Sequence, residues 1–354
     1  MIRFIHLADV HLGAAPDRGC PWSRAREEEI WETFRRVIAS ISREPVDLLF
    51  IAGDLFHRQP LLRELKEVNY LFSTIPDTRV FLMAGNHDHI RQNSFYRKFP
   101  WEPNVTFFEE ESRTCVKVPE LNVFVYGMSY HRQEIREALY DAWRPEAEEG
   151  FHVLLAHGGD ADHIPMDVKR LSAAGFDYLA LGHIHKPQSV LRGKAVYSGA
   201  LEPIDRNDMG KHGYIEGSWE KGRMRLKFIP FACRSYQNLV LTLREDSTQY
   251  SLEETLKNEI MTKGGKNIYR ILLRGRRAPE LVLLSERLKR LGNIVEVLDE
   301  SAPAYDLEKL YRKYSGTLIG DYIAYFSGRE ISVVEKKALY HGLQALLETS
   351  ILNQ

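Results

Sequence analysis

Residues 2–13 read IRFIHLADVHLG, a short, mostly apolar run that stops at Asp9, Val10 and His11 before turning through Leu12 and Gly13. An apolar run of this length that ends in charged or imidazole side chains is how a buried strand feeds a loop. Four more segments repeat the design. Residues 48–51 lead into Gly53 and Asp54, residues 80–83 into Gly85, Asn86, His87 and Asp88, residues 153–156 into His157 and Gly158, and residues 178–181 into Gly182, His183, Ile184 and His185.

Between these runs the period changes. Residues 24–42 carry Ile30, Phe34, Val37, Ile38 and Ile41 at helical spacing, and residues 61–74 carry Leu61, Leu65, Val68 and Leu71. Strand and helix therefore alternate, which makes the fold class α/β. After Gly175 the texture shifts to short strands at 195–198, 213–219 and 223–231, with Glu220, Lys221 and Gly222 as a hairpin turn. These predict a second sheet stacked on the first with helices outside, a four-layer α/β/β/α sandwich over residues 1–232. Residues 239–243, 252–261, 268–273, 280–291 and 294–298 read strand, helix, strand, helix, strand, a small βαβαβ unit over 233–302. Residues 303–354 read as a helical tail, with Val334, Ala338, Leu343, Leu346 and Leu347 spaced as an apolar face.

Composition bounds the function. The chain has 354 residues, 44% hydrophobic and 27% charged, as in ordinary globular proteins. Its 48 basic and 49 acidic side chains leave a net charge of -1, so no global field draws it to polyanions. Cys20, Cys115 and Cys233 form neither a CxxC pair nor a disulfide framework, which suits a reducing compartment. No apolar run approaches the roughly 20 residues of a membrane span, and the first residues do not read as a signal peptide. A cytoplasmic protein is expected.

A sheet brings the ends of its strands together along one edge, where open α/β folds bind their ligands. Five strand ends rich in Asp, Asn and His thus predict a metal centre built from Asp9, His11, Asp54, Asn86, His157, His183 and His185. Alternate residues on an extended chain point the same way, so Asp9 and His11, and likewise His183 and His185, can converge. A carboxylate has two oxygens, and Asp54 can bridge two cations about 3.5 to 4 Å apart, the spacing that clamps the attacking and leaving oxygens of a phosphoryl displacement. A mixed Asp, Asn and His set without Cys fits manganese, iron or zinc, and manganese is the expected ion.

In order and wording these motifs resemble the calcineurin-like metallophosphoesterases, and within them the SbcD-type DNA repair exonucleases with their shorter YhaO-type relatives. The resemblance is strong over the first two thirds of the chain. It implies that Asp9, His11, Asp54 and His185 hold one metal and that Asp54, Asn86, His157 and His183 hold the other. It further implies that His87 protonates the leaving oxygen with Asp88 orienting it from behind, that His57 is a second active-site histidine, and that the enzyme hydrolyses DNA as a dimer. The remaining histidines, His89 among them, carry no assigned chemistry. Between Lys263 and Arg290 nine basic residues meet two acidic ones, Glu280 and Glu286. That local excess predicts DNA contacts from the cap, with Arg274, Arg276 and Arg277 as candidates. The helical tail resembles the segment that holds an SbcC-type coiled-coil, SMC-like ATPase. Two other readings stand beside this one: a phosphodiesterase for nucleotides or small phosphate esters, and a scaffold that recruits an ATPase without cutting.

Overall fold

In the computed structural model, which describes residues 1–146 and 149–352, four parallel strands start one sheet: β1 (Ile2–Leu7), β2 (Leu48–Ala52), β3 (Arg79–Met83) and β4 (Val105–Phe108). Helices α1 (Ser23–Arg43) and α2 (Leu62–Ser73) connect the first three. Both faces of these strands are buried, which is why they read as near-continuous apolar runs. In β2, Leu49 and Ile51 pack with Ile30 and Phe34 of α1 and Leu65 and Val68 of α2, whereas Leu48 and Phe50 enter the core between the sheets.

The second sheet holds β5 (Thr114–Val118), β6 (Val123–Gly127), β7 (Phe151–His157), β8 (Tyr178–Gly182), β9 (Gln188–Leu191) and β10 (Ala195–Tyr197), in the order β5-β6-β7-β8-β10-β9. Val123, Val153, Leu155 and Tyr178 face the first sheet. Leu154, Ala156, Leu179 and Leu181 face outward, where Ile135, Tyr140, Trp143 and the six-residue helix α3 (Val168–Ala173) cover them. The fourth layer is thus mostly a packed loop with one short helix.

Strands β11 (Gly213–Glu220) and β12 (Arg223–Pro230) correct the expected sheet assignment. They extend the first sheet, β11 lying antiparallel to β1, rather than joining the second. Packing decides this: a Cβ on Gly217 would overlap the ring of Phe4, its register partner, while Trp219 stacks on Phe151 at 5.0 Å.

The chain divides into two units, residues 1–236 and 237–354. In the second, β13 (Tyr236–Leu243), β14 (Ile268–Arg277) and β15 (Ile294–Asp299) form a sheet, with β16 (Ala302–Pro303) beside β14. Helix α4 (Gln249–Lys263) covers it through Leu252, Leu256 and Ile260. The helix expected at 280–291 shrinks to α5 (Ser285–Lys289), of which only Leu288 is buried. The tail is helical as α6 (Leu307–Lys313), α7 (Leu318–Phe326) and α8 (Val333–Leu352), with a small core of Ile319, Ile323 and Leu343. Residues 353–354 of the expected tail lie outside the described residues. Among the described residues no helix is long and apolar enough to cross a membrane.

One polar pair bridges the two sheets. His6 of β1 is fully buried, and its Nδ1 lies 2.9 Å from the Tyr178 hydroxyl of β8. Burial pulls the His6 pKa down from 6.5 to about 3. Below pH 6.5 the unfolded chain takes up a proton that the folded chain refuses, so stability falls with pH by up to ~1.4 kcal/mol per unit until the folded pKa is reached. Replacing both partners, His6→Phe with Tyr178→Phe, keeps the shape and removes the titration. Urea unfolding of this variant between pH 7 and pH 5 should lose stability less steeply than wild type; parallel slopes would show that His6 is not the group responsible.

Candidate metal centre

All five loops leave their strands at the C-terminal ends of β1, β2, β3, β7 and β8. The loops after β1 and β2 keep pairing beyond their strands. Asp9 N–H donates to Gly53 O at 3.1 Å, His11 N–H to Asp54 O at 3.0 Å and Leu12 N–H to Leu55 O at 2.9 Å, and His57 N–H returns to Leu12 O at 3.0 Å. Asp9, His11, Asp54 and His183 sit at φ of 50°, 53°, 50° and 98°. Side-chain-bearing residues avoid that region, at a cost of about 1 to 3 kcal/mol each, and such strain gathers at functional sites. Two glycines make the crowding feasible. A Cβ on Gly53 would strike the His157 ring, and one on Gly85 would strike the Asp54 carboxylate.

The seven predicted residues converge. His11 Nε2 lies 3.1 Å from His185 Nε2 and 3.9 Å from Asp54 Oδ2, and Asp9, His11 and His185 form one group able to hold a cation. Asp9, Asp54 and His157 form a second such group. His157 Nε2 is 3.4 Å from Asp54 Oδ2 and 2.9 Å from Asn86 Oδ1, and His183 Nδ1 is 3.3 Å from the same Asn86 oxygen. Asp54 thus stands between the His11 side and the His157 side.

Hydrogen bonding fixes which nitrogen of each ring faces the centre. The Ala52 carbonyl takes the Nδ1 proton of His157 at 2.9 Å, Asp160 Oδ2 the Nε2 proton of His183 at 2.7 Å, and Asp208 Oδ2 the Nδ1 proton of His185 at 3.1 Å. A ring so committed, once neutral, has the lone pair of its other nitrogen directed into the centre. The donor set fits divalent cations, and carboxylates behind metal-ligating imidazoles are the usual way to fix ring and tautomer. Asp160 and Asp208 escaped the sequence reading because loop carboxylates at those spacings carry no pattern. Asp208 is itself held by the N–H groups of Ile204 and Asp205 at 3.0 and 3.1 Å.

The electrostatics record the same demand for positive charge. Burial works against the charge of His157 and of His185, yet Asp54 for the first and Asp208 for the second raise them to about 9. Burial lowers His183 to about 4, with the His157 charge adding to the effect. Burial raises Asp9 to about 6. Burial also opposes ionisation of Asp54, but His157, His11 and His87 outweigh it and hold the carboxyl well below the usual range.

His57 and His87 stack at 5.0 Å between ring centroids, and each lies against His11, at 5.3 and 4.8 Å. His87 Nδ1 is 3.3 Å from the His57 carbonyl, and the His87 backbone N–H donates to Asp54 Oδ1 at 2.9 Å. Burial first, then the His87 charge, lowers the His57 pKa. Both rings line an open cleft of about 340 Å³ together with Arg58, Gln59, Asn86, His89, Arg91 and Gln133. Asp88 takes the N–H groups of Gly85 at 2.8 Å and Phe56 at 3.2 Å and the Tyr96 hydroxyl at 2.7 Å, so it braces two loops. Burial, then the Asp54 charge, raises Asp88 to about 7.

The basic segment of the second unit needs correction. Arg270 pairs with Glu296 at 2.9 Å, Arg274 with Glu300 at 2.8 Å and Arg287 with Glu253 at 2.9 Å. Arg277 is only 9% exposed and donates to Leu281 O at 3.0 Å and Ser301 Oγ at 3.2 Å, so it serves the fold and is withdrawn as a DNA contact. Arg276 is exposed. The answering acids lie outside residues 263–290, and from residue 237 onward 17 basic side chains meet 16 acidic ones, so the local excess is compensated.

If Asp208 orients His185, Asp208→Ala should weaken manganese binding about 10- to 100-fold by titration calorimetry while the far-ultraviolet dichroism stays native. An affinity within twofold of wild type would remove that role.

The profile of the calcineurin-like phosphoesterases matches residues 2–187, a span that includes all seven converging residues. The uncharacterized metallophosphoesterase YhaO of Bacillus subtilis (strain 168) is 27% identical over 323 residues, covering 84% of this chain and 78% of that protein. The DNA double-strand break repair protein Mre11 of Methanocaldococcus jannaschii is 27% identical over 221 residues, covering 58% of each chain. Mre11 of Methanopyrus kandleri is 29% identical over 254 residues, covering 62% of this chain and 55% of that one. The chain spans little more than half the length of these archaeal relatives. With the matching profile covering more than half of it, the chain belongs to the calcineurin-like phosphoesterase family, hydrolases that act on phosphoesters.

Proposed function

We propose that this protein is a metal-dependent DNA phosphodiesterase. The observation that carries the reading is the convergence of His157, His183 and His185, each committed through one nitrogen to an acceptor, on the oxygens of Asp9, Asp54 and Asn86. Asp9, His11, Asp54 and His185 would hold one divalent cation and Asp54, Asn86, His157 and His183 the other; manganese, iron and zinc all suit this mixed donor set, and manganese is the proposed ion. When bound, such a pair activates water and neutralises charge developing on the phosphoryl oxygens. The chain's own part is positional and protonic. The His57 carbonyl holds the Nδ1 proton of His87, so Nε2 is the nitrogen left to face the leaving oxygen, and it gives up a proton there only from the doubly protonated ring. His57 stacks on that ring and limits its rotation. Asp88 keeps the loop bearing His87 against the loop bearing His57.

DNA as substrate is supported by the names of the archaeal relatives and by the wording Phe56-His57 after Asp54, in place of the Asp-Arg-Gly of protein phosphatases. A coiled-coil, SMC-like ATPase partner is supported by the resemblance and by large apolar side chains left exposed on α7 and α8, Leu318, Tyr325, Val333 and Val334. A homodimer follows from the resemblance alone. A cytoplasmic setting is supported by three unpaired cysteines. The compensated charge of the second unit favours the other reading, a phosphodiesterase for nucleotides or small esters.

A manganese-dependent assay on end-labelled single- and double-stranded DNA separates these readings. Wild type should shorten DNA, Asp54→Ala should not, and His87→Ala should keep its manganese while turnover drops by roughly 10²-fold or more. Small diesters hydrolysed as fast as DNA, with no salt-dependent DNA binding, would give the case to the second reading. Wild-type turnover in His87→Ala would end the proton-donor role.

A further inference from the structure

Two arginines reach the cleft beside His57 and His87, and they differ in what their charge meets. Arg58 is neutralised by Glu64 through two bonds, Nη1 to Oε2 at 3.0 Å and Nη2 to Oε1 at 2.7 Å. Arg91 meets no carboxylate among the described residues. Its Nε–H donates to His89 Nε2 at 3.2 Å, and its side chain is exposed. His89 is buried, and the Asn86 carbonyl at 2.9 Å takes the proton of its Nδ1, so Nε2 must be the accepting nitrogen. Gln59 ties the His89 carbonyl at 2.6 Å from the other side of the cleft. A guanidinium is costly to orient, and here a buried histidine anchored on the backbone of a metal-centre loop orients it while its terminal nitrogens stay available. Planar guanidinium forks are suited to phosphate oxygens.

We infer that Arg91, aimed by His89, forms a phosphate subsite that takes the phosphate next to the one being hydrolysed, and so selects polynucleotides over esters with a single phosphate. The inference rests on the DNA reading above. A phosphodiester chain that places one phosphate at Asp54 and Asn86 brings its neighbour to the rim of the same cleft, where Arg91 is the uncompensated cation. His89 is a positioning residue in this scheme.

The test compares Arg91→Ala and Arg91→Lys with wild type in manganese on a labelled oligonucleotide and on bis(para-nitrophenyl) phosphate, which has one phosphate. In Arg91→Ala the ratio of kcat/KM for oligonucleotide over small diester should fall about 10- to 100-fold, as loss of a charge-assisted bidentate contact implies. Arg91→Lys should recover part of that ratio. Without metal, in chelator, the log–log salt slope for oligonucleotide binding should flatten by roughly 0.7 to 0.9, one phosphate contact. An unchanged ratio and slope in Arg91→Ala would overturn the subsite. If wild type hydrolyses the small diester but leaves oligonucleotides intact, the DNA reading fails separately. Pyrophosphate competition against the small diester then decides the subsite: inhibition weakened at least tenfold in Arg91→Ala retains it, and equal inhibition of both proteins removes it.

Discussion

At the junction of the five loops, carboxyl oxygens and imidazole nitrogens are packed where water scarcely reaches, and the positive charge that the buried Asp54 demands there is the constraint around which the first unit is organised. Asp9, His11 and His157 are fully buried and Asp54 is 1% exposed. Two carboxyls so placed would each resist ionisation. Only Asp9 rises, because the imidazoles on both sides of Asp54 hold that carboxyl ionised against the cost of burial. Such a division of charge marks a place that awaits positive charge, and it makes Asp54 the natural shared ligand.

Holding that arrangement requires a rigid frame. The parallel strands supply it because they are packed on both faces, by helices on one side and the second sheet on the other. Their loops carry strain at Asp9, His11, Asp54 and His183, and specific bonds offset it. The backbone ladder between the first two loops continues past the strand ends, and Asp88 joins the second loop to the third through Phe56 and Gly85. A carboxyl with three donors around it and a pKa raised to about 7 therefore has a structural task beside the chemistry.

Charge shows how far linear counting can mislead. The basic residues between 263 and 290 look like a surface for a polyanion, but their partners Glu253, Glu296 and Glu300 come from α4, from β15 and from just beyond it. The same rule separates Arg58 from Arg91. Both line one cleft, and only the position of Glu64 distinguishes a spent charge from an available one.

The α/β class, the five strands that carry the centre and the seven converging residues were legible in the sequence, because strands buried on both faces need continuous apolar runs and the loops that follow them must hold the polar chemistry. Strands β4, β5 and β6 were not legible in this way: β4 and β5 are short, carry Thr106 and Lys117 among their apolar residues and gain their place by pairing, and β6 is a buried apolar run that ends in no ligand-type side chain. The sheet to which β11 belongs depended on Gly217 meeting Phe4, a contact between residues more than 200 positions apart. Asp160, Asp208 and His89 became recognisable only in three dimensions, as the acceptors and anchors that fix a ring or a guanidinium. The sequence by itself determined which side chains gather at the strand ends, because residue type and strand-end placement are local properties. The tertiary structure alone decided which charges are spent and which way each imidazole points, because both depend on partners that the chain brings together only by folding.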